Sequence, residues 1–220
     1  MRWLLRAVLA QMMSHRYGLI DVQGFITATA DEDAEVRRAA LIAAEPRLPE
    51  AELSHALARA LVDEAPEVRV MAISLHAWRG PGGDAPRSAV LATVTDRDPR
   101  VRAAALGALT VRWPTHPETL AATLTLATTD PDSTVRADAI TALAVRHPDQ
   151  AHPLALRAAT EDDSPETRSR YLRLVTLLWP DDPATLPLLT DRAQHDDSEE
   201  VRTTATEGLA RLRWLATEIA

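Results

Sequence analysis

The sequence predicts an all-α fold, a right-handed α-solenoid of about six helical hairpins preceded by one N-terminal helix. Three observations carry this prediction. An Asp is followed six residues later by an Arg six times along the 220-residue chain, and successive Arg residues lie 32 to 34 positions apart. Apolar residues follow each Arg at helical spacing, and a Pro stands twelve residues after five of these Arg residues. A fixed period of this length is typical of solenoids, whose units bury their apolar faces only against neighbouring units.

Two columns of charged residues mark the repeats. The Asp column is Asp31, Asp63, Asp96, Asp130, Asp162 and Asp196. The Arg column is Arg37, Arg69, Arg102, Arg136, Arg168 and Arg202. The Asp column predicts a tight turn in every repeat, between a first helix that ends before the Asp and a second helix that contains the Arg.

The second helix of each repeat has start and stop signals. In the third repeat Asp98 is a good N-cap, and Pro99 suits the first helical position, where its missing N–H leaves no bond unmade. The equivalent cap positions are Asp33, Ala65, Asp98, Asp132, Ser164 and Ser198. A Pro then ends the helix by removing a donor, at Pro49, Pro81, Pro114, Pro148 and Pro180. These signals predict second helices of about ten to twelve residues.

An apolar stripe runs along each second helix and predicts its core face. In the third repeat the stripe is Val101, Ala105, Leu106 and Leu109, at spacings typical of a helix rather than a strand. The equivalent stripe of the second repeat is Val68, Ala72, Ile73 and His76. Small Ala residues in these stripes allow neighbouring helices to approach closely.

A first helix follows each Pro, which completes the hairpins. The predicted first helices are 50–62, 85–95, 118–128, 151–160 and 184–193. The predicted repeats are approximately 19–49, 50–83, 84–116, 117–150, 151–183 and 184–220. Residues 1–18 supply an N-terminal capping helix, so that residues 1–220 form a single array.

These repeats resemble HEAT repeats of the short bacterial type, also found in bilin-lyase-like proteins and grouped with the armadillo-like helical folds. The resemblance rests on the segments Asp98-Pro-Arg-Val-Arg-Ala-Ala-Ala105 and Asp132-Ser-Thr-Val-Arg-Ala-Asp-Ala139, and on weaker copies at Ser164 and Ser198. It covers about residues 19–216. The resemblance implies that the Asp and Arg columns form a structural ladder between successive repeats.

Composition limits the classes of function. The chain has no Cys, which excludes disulfides and Cys-ligated metal sites and favours the cytoplasm over an oxidising compartment. Arg6 interrupts the apolar N-terminal stretch, which favours a first helix over a signal peptide. No apolar run approaches the roughly 18 residues that would span a bilayer, so no membrane partner is expected.

Charge is distributed unevenly. Residues 1–110 contain 14 acidic residues and 13 Arg residues, whereas residues 111–220 contain 18 acidic residues and 11 Arg residues. An acidic field repels phosphate backbones, so nucleic acid is not the expected partner. The chain ends are strongly apolar, which leaves open that the chain self-associates or is part of a longer one.

A second Arg column and several Trp residues are the candidate partner-binding residues. The candidates are Arg47, Arg79, Arg112, Arg146, Trp78 and Trp113. The Arg residues, ten positions after the ladder Arg, either offset the negative ends of the helix dipoles or form a basic edge for an acidic protein or peptide. The Trp residues either fill gaps between repeats or bind a partner, because Trp and Arg are enriched at binding hot spots.

No residue pattern indicates catalysis, a cofactor or a metal. His147 and His152 are the closest His pair, and neither belongs to a recognised ligand motif. The leading hypothesis is a non-catalytic scaffold or regulatory module that binds a protein through its second helices. The alternative, implied by the resemblance, is a DNA glycosylase with Trp113 and Asp138 as candidates, or a bilin-lyase-like enzyme. Around Arg170 and Arg173 the second-helix face becomes basic.

Overall fold

The computed structural model describes residues 22–44, 49–79 and 84–218. Within these ranges the chain forms twelve α-helices and no strand, which confirms the predicted all-α fold of helical hairpins. The helices are α1 (Val22–Ala28), α2 (Ala34–Ala44), α3 (Glu50–Ala60), α4 (Pro66–Arg79), α5 (Asp84–Leu91), α6 (Pro99–Arg112), α7 (Pro117–Thr129), α8 (Ser133–Arg146), α9 (Pro148–Glu161), α10 (Pro165–Leu178), α11 (Thr185–His195) and α12 (Glu199–Glu218). The predicted helix of residues 1–18 lies outside the described residues.

The even-numbered helices are the second helices of the repeats, and most are longer than predicted. Helices α4, α6, α8 and α10 have 14 residues each, not ten to twelve. Each begins directly after its cap and continues until two residues before the next Pro, because Pro disfavours helical backbone at the residue directly before it. Helix α12 has 20 residues, since Trp214 stands where the other repeats have Pro.

The first helices also differ in detail from their predicted bounds. Helix α9 begins at Pro148, three residues before its predicted start, because this Pro occupies the first helical position. Helix α5 ends at Leu91, and the chain continues through Thr95 as a 3₁₀ helix, Ala92–Thr95. The third repeat therefore has a short first helix.

The predicted caps act through their side chains. Asp98 accepts a hydrogen bond from the Arg100 amide at 2.9 Å, and Asp132 accepts from the Thr134 amide at 2.9 Å. Ser164 accepts from the amide of Thr167 at 3.3 Å. These bonds satisfy amides of the first turn that have no partner within the helix.

The chain divides into two compact units, with the division between Thr119 and Leu120. In the first unit α2 packs against α4 and α4 against α6, so that successive second helices are neighbours. In the second unit α8 packs against α10 and α10 against α12. Both units therefore contain the contacts between consecutive hairpins that a helical repeat requires.

The predicted stripes contribute to the cores of both units, together with residues of the first helices. In the third repeat all four stripe residues, Val101, Ala105, Leu106 and Leu109, are buried. The buried side chains of the second unit include Val135, Ile140, Leu143, Tyr171, Leu172, Val175 and Leu189. In the second-repeat stripe the last member, His76, is half-buried.

Candidate functional site

The Asp and Arg columns join consecutive repeats within each unit. In the first unit Arg69 donates through Nε and Nη2 to the two carboxylate oxygens of Asp96, at 2.7 Å each. In the second unit Arg168 donates to Asp196 at 3.1 and 2.8 Å. Arg37 bonds to both carboxylate oxygens of Asp63 in the same way, whereas Arg136 donates through Nε and Nη2 to a single oxygen of Asp162. Two parallel bonds between guanidinium and carboxylate fix orientation as well as charge.

The same guanidinium groups hold the turn of their own repeat. Each Arg of the column donates through Nη1 to the backbone carbonyl of the Asp six residues earlier, at 2.7 to 2.9 Å. Each Asp in turn accepts from the amide two residues later, as Asp96 does from Asp98 at 2.8 Å. These bonds hold the turns and join consecutive repeats within each unit. The residues of both columns are half-buried or buried.

The ladder lowers the pKa of the carboxyl groups of Asp63 and Asp96. Burial alone would raise the pKa of Asp63, but bonds from Arg37 and from the Ala65 amide outweigh it, so the pKa lies below its ordinary value. The pKa of Asp96 is lowered in the same way, with Arg69 opposing the effect of burial. These aspartates are thus held ionised.

The exposed apolar residues near the ends of the second helices form the surface most suited to a partner. Trp78 near the end of α4 is 87% exposed, and Val111 near the end of α6 is 79% exposed. In the second unit Val145 is 77% exposed and Leu177 is 56% exposed. All four occupy the same register, nine residues after the ladder Arg. We call these residues, with the Arg that follows Val111 and the Arg that follows Val145, the helix-end edge of each unit.

The candidate Arg residues are placed as follows. Arg112 and Arg146 are the last residues of α6 and α8, and both side chains are exposed. They lie where a cation offsets the negative end of the helix dipole and where it can also meet a partner. Arg79 is the last residue of α4, but its side chain lies outside the described residues, as does the whole of Arg47.

The Trp residues have different environments. Trp78 projects into solvent and does not fill a gap between repeats. Trp113 is half-buried and packs against the core of the first unit, and its indole Nε1 is buried without a hydrogen-bond partner among the described residues. Trp179 packs beside His152, with 4.8 Å between the ring centroids. Trp78 is therefore the candidate aromatic residue that is most accessible to a partner.

Of the two Arg residues that make the second-helix face basic, one bonds to an acid and the other to a neutral hydroxyl. Arg170 donates to Asp138 at 2.7 Å, and both side chains are partly exposed. Arg173 donates to the hydroxyl of Thr204 at 3.2 Å. Asp138, the acid considered for a glycosylase, is therefore ion-paired.

Sequence reasoning missed two features of the surface. The aliphatic residues Val111, Val145 and Leu177 were not among the candidates, although their fixed register one residue before the second Arg column was visible. The other is a cavity beside His76, which arises from the short α5. In the sequence, the one indication of this cavity was that His replaces an aliphatic residue at one stripe position.

Among the described residues, no group of three or more His, Cys, Asp or Glu side chains could hold a metal ion. His152 lies 3.6 Å from Asp182, without a third such residue. None of the helices in the described ranges is long and apolar enough to cross a bilayer.

The geometry described above defines an all-α protein of paired helices joined by an Asp–Arg ladder. A family model for HEAT repeats matches residues 63–144 and 120–210, which together cover more than half of the chain. The chain belongs to the HEAT-repeat family, as the ladder segments predicted. HEAT repeats generally mediate protein–protein interactions. No curated protein matches the chain.

Proposed function

We propose that the chain is a non-catalytic protein–protein interaction module, a scaffold or regulatory component, that binds a protein or peptide through its helix-end edge. One observation carries the proposal. Exposed apolar side chains recur at one register of the second helices in both units, beside the exposed Arg112 and Arg146. Single exposed apolar residues are ordinary, but this repetition is not needed for folding.

The chemistry of the edge indicates the kind of partner. Trp78 offers a large, rigid apolar surface, and Trp and Arg are the side chains most enriched at hot spots. Arg112 and Arg146 favour carboxylate or phosphate groups on the partner. The proposed partner therefore has an apolar anchor flanked by acidic residues. We further propose a cytoplasmic location, because the sequence has no Cys.

The test begins with affinity capture of the partner from the cells of origin, identified by mass spectrometry. Its affinity is then measured for the wild type and for the double variant Trp78→Ala/Arg112→Glu. We expect at least a tenfold loss of affinity, because the variant removes an aromatic anchor and reverses a charge. The wild-type affinity should also fall as salt concentration rises.

Matched variants distinguish the edge from the rest of the surface. Arg100→Glu makes the same charge reversal at the opposite end of α6, and Trp214→Ala removes an exposed Trp from α12. Both should bind the partner as the wild type does, with unchanged circular dichroism. Equal affinity of the edge variant and the wild type would reject the edge as the binding surface.

The non-catalytic part of the proposal has a separate test. The ion pair between Asp138 and Arg170 supports it, since that acid is already engaged. Duplex DNA should keep its electrophoretic mobility in the presence of the chain at low and at moderate salt. A retarded band that persists at moderate salt would instead favour a glycosylase.

A further inference from the structure

A cavity of the first unit lies between two first helices, α3 and α5, and α4 contributes Leu75 and His76 to its walls. Its volume is about 1120 Å³. Leucines of α3 and small residues of the α5 segment form most of the apolar lining: Leu53, Leu57, Leu61, Ala89 and Ala92. The small side chains and the early end of α5 leave this space unfilled. Ligand sites of proteins are typically apolar cavities of roughly 300 to 1,000 Å³ with a few polar groups, and this cavity is of similar size.

His76 is the polar group of the cavity that stands out against the other repeats. The same position of the stripe, seven residues after the ladder Arg, is a buried aliphatic residue in three other repeats: Leu109, Leu143 and Val175. The Nε2 atom of His76 is buried and has no hydrogen-bond partner among the described residues. An unsatisfied buried polar atom costs free energy, so an aliphatic residue here would favour folding more.

Burial also fixes the ionisation of this imidazole. Removal from water lowers the pKa of His76 below its ordinary value, so the ring is neutral at neutral pH. A neutral imidazole offers one N–H donor and one nitrogen acceptor to a ligand. The ring is therefore suited to a hydroxyl or carbonyl group.

The charges around the cavity limit the ligand further. Glu50 and Glu64 contribute to its lining with exposed side chains. The lining residues Asp96 and Arg69 are paired with one another, and Arg97 donates to the Glu64 carbonyl at 3.1 Å. Glu64 also lies 3.6 Å from Arg37, and the positive charge of Arg97 opposes the negative charge of Glu50, so the lining has no excess charge that would favour a charged ligand over an uncharged one.

We propose that this cavity is a binding site for an uncharged, apolar small molecule whose hydroxyl or carbonyl group hydrogen-bonds to His76. The site is separate from the helix-end edge, and the proposal does not depend on the proposed function. A bound small molecule would supply the apolar contacts and the hydrogen bond that this cavity lacks in the chain alone.

The test uses the full chain and Nile red, an uncharged apolar dye with a carbonyl group whose fluorescence rises in apolar surroundings. Titration should show saturable binding of one dye per chain. Ala89→Phe fills the cavity from α5 and should weaken binding at least tenfold. His76→Leu removes the hydrogen bond and should weaken it about five- to tenfold, with a thermal midpoint no lower than the wild type.

The matched control is Ser88→Phe, which places the same aromatic ring on the exposed side of α5, next to Ala89. It should bind the dye as the wild type does. Unsaturable binding, or equal affinity of the Ala89→Phe and Ser88→Phe variants, would overturn the proposal. The proposal would also be overturned if the chain, purified from its own cells, carried a bound polypeptide that blocks the dye, because the cavity would then be a docking site for a protein segment.

Discussion

Residues of the same type act differently along this chain because their partners differ. Arg69 has a buried side chain that bonds to Asp96 of the next repeat and to the Asp63 carbonyl of its own. Arg100 is mostly exposed and pairs only with Asp98, the cap of its own helix. The Arg69 guanidinium therefore joins two repeats. The Arg100 guanidinium adds a contact to Asp98, which already caps the helix by accepting a hydrogen bond from the Arg100 amide.

We therefore expect Arg69→Ala to lower the free energy of unfolding by about 2 to 4 kcal/mol, because it leaves Asp96 and two carbonyls without their donor. The measurement is urea denaturation followed by circular dichroism. Arg100→Ala is the matched control and should leave the denaturation midpoint unchanged. Similar midpoints for the two variants would contradict the structural role of the ladder.

The roles of single residues were only partly predictable from the sequence. The Asp and Arg columns were visible because a ladder constrains both residue type and spacing in every repeat. The environments of Trp78 and Trp113 were not foreseen, because the two residues were grouped by their nearness to a helix-ending Pro rather than by register. Trp78 stands nine residues after its ladder Arg, at the exposed register of Val111, whereas Trp113 stands eleven residues after its own ladder Arg, beyond the end of α6.

Individual helices repeat one design, an inner apolar stripe and an exposed end. In α6 Leu109 is buried, whereas Val111, two residues later, lies on the opposite side of the helix in solvent. The stripe was predictable because helical spacing alone selects it. The helix lengths were underestimated, because Pro excludes only the residue directly before it from the helix, and the preceding turn stays helical.

Leu109→Ala should lower the free energy of unfolding by about 2 to 5 kcal/mol through lost burial and a residual cavity. Val111→Ala, on the same helix, should change it by less than about 0.5 kcal/mol, because the side chain is exposed. Urea denaturation of both variants is the measurement. A wild-type midpoint for Leu109→Ala would show that the helical phase is wrong.

Gly107 and Gly208, which lie in α6 and α12, provide a second comparison. A Cβ atom on Gly107 would meet nothing within 4 Å, so Gly107→Ala should stabilise the chain by about 0.5 to 1 kcal/mol through helix propensity. A Cβ on Gly208 would lie 2.9 Å from Leu189 and 3.0 Å from Thr176, both buried. Gly208→Ala should therefore be destabilising, because overpacking typically costs about 1 to 3 kcal/mol. Thermal midpoints that rise for both variants would contradict the close packing around Gly208.

Over the whole molecule, net charge and ladder charge have different roles. The acidic residues of 111–220 exceed the Arg residues there by a wide margin, yet ladder aspartates of both units, such as Asp96 and Asp196, are paired with Arg. Folding therefore holds particular carboxylates ionised while the excess charge stays on the surface. The array was predictable from its period, but the cavity beside His76 was not, because it depends on where α5 ends.

Stability should fall in two steps as pH decreases. His76 has a folded pKa below its ordinary value of about 6.5, so the unfolded chain takes up a proton first and stability declines below that pH. Asp63, Asp96 and Asp196 also have lowered folded pKa values, so their contribution is complete above the ordinary Asp value of about 3.9 and is lost as pH falls through the folded values.

Urea midpoints measured from pH 8 to pH 3 test both steps, and two variants separate them. His76→Leu should remove the decline below about pH 6.5 and leave the acid step, because only the imidazole is lost. Arg69→Ala should make the acid step shallower, because Asp96 loses the partner that opposes the effect of burial on its pKa. An acid step of equal size in Arg69→Ala and the wild type would mean that other carboxyl groups, and not the ladder, make folding sensitive to acid.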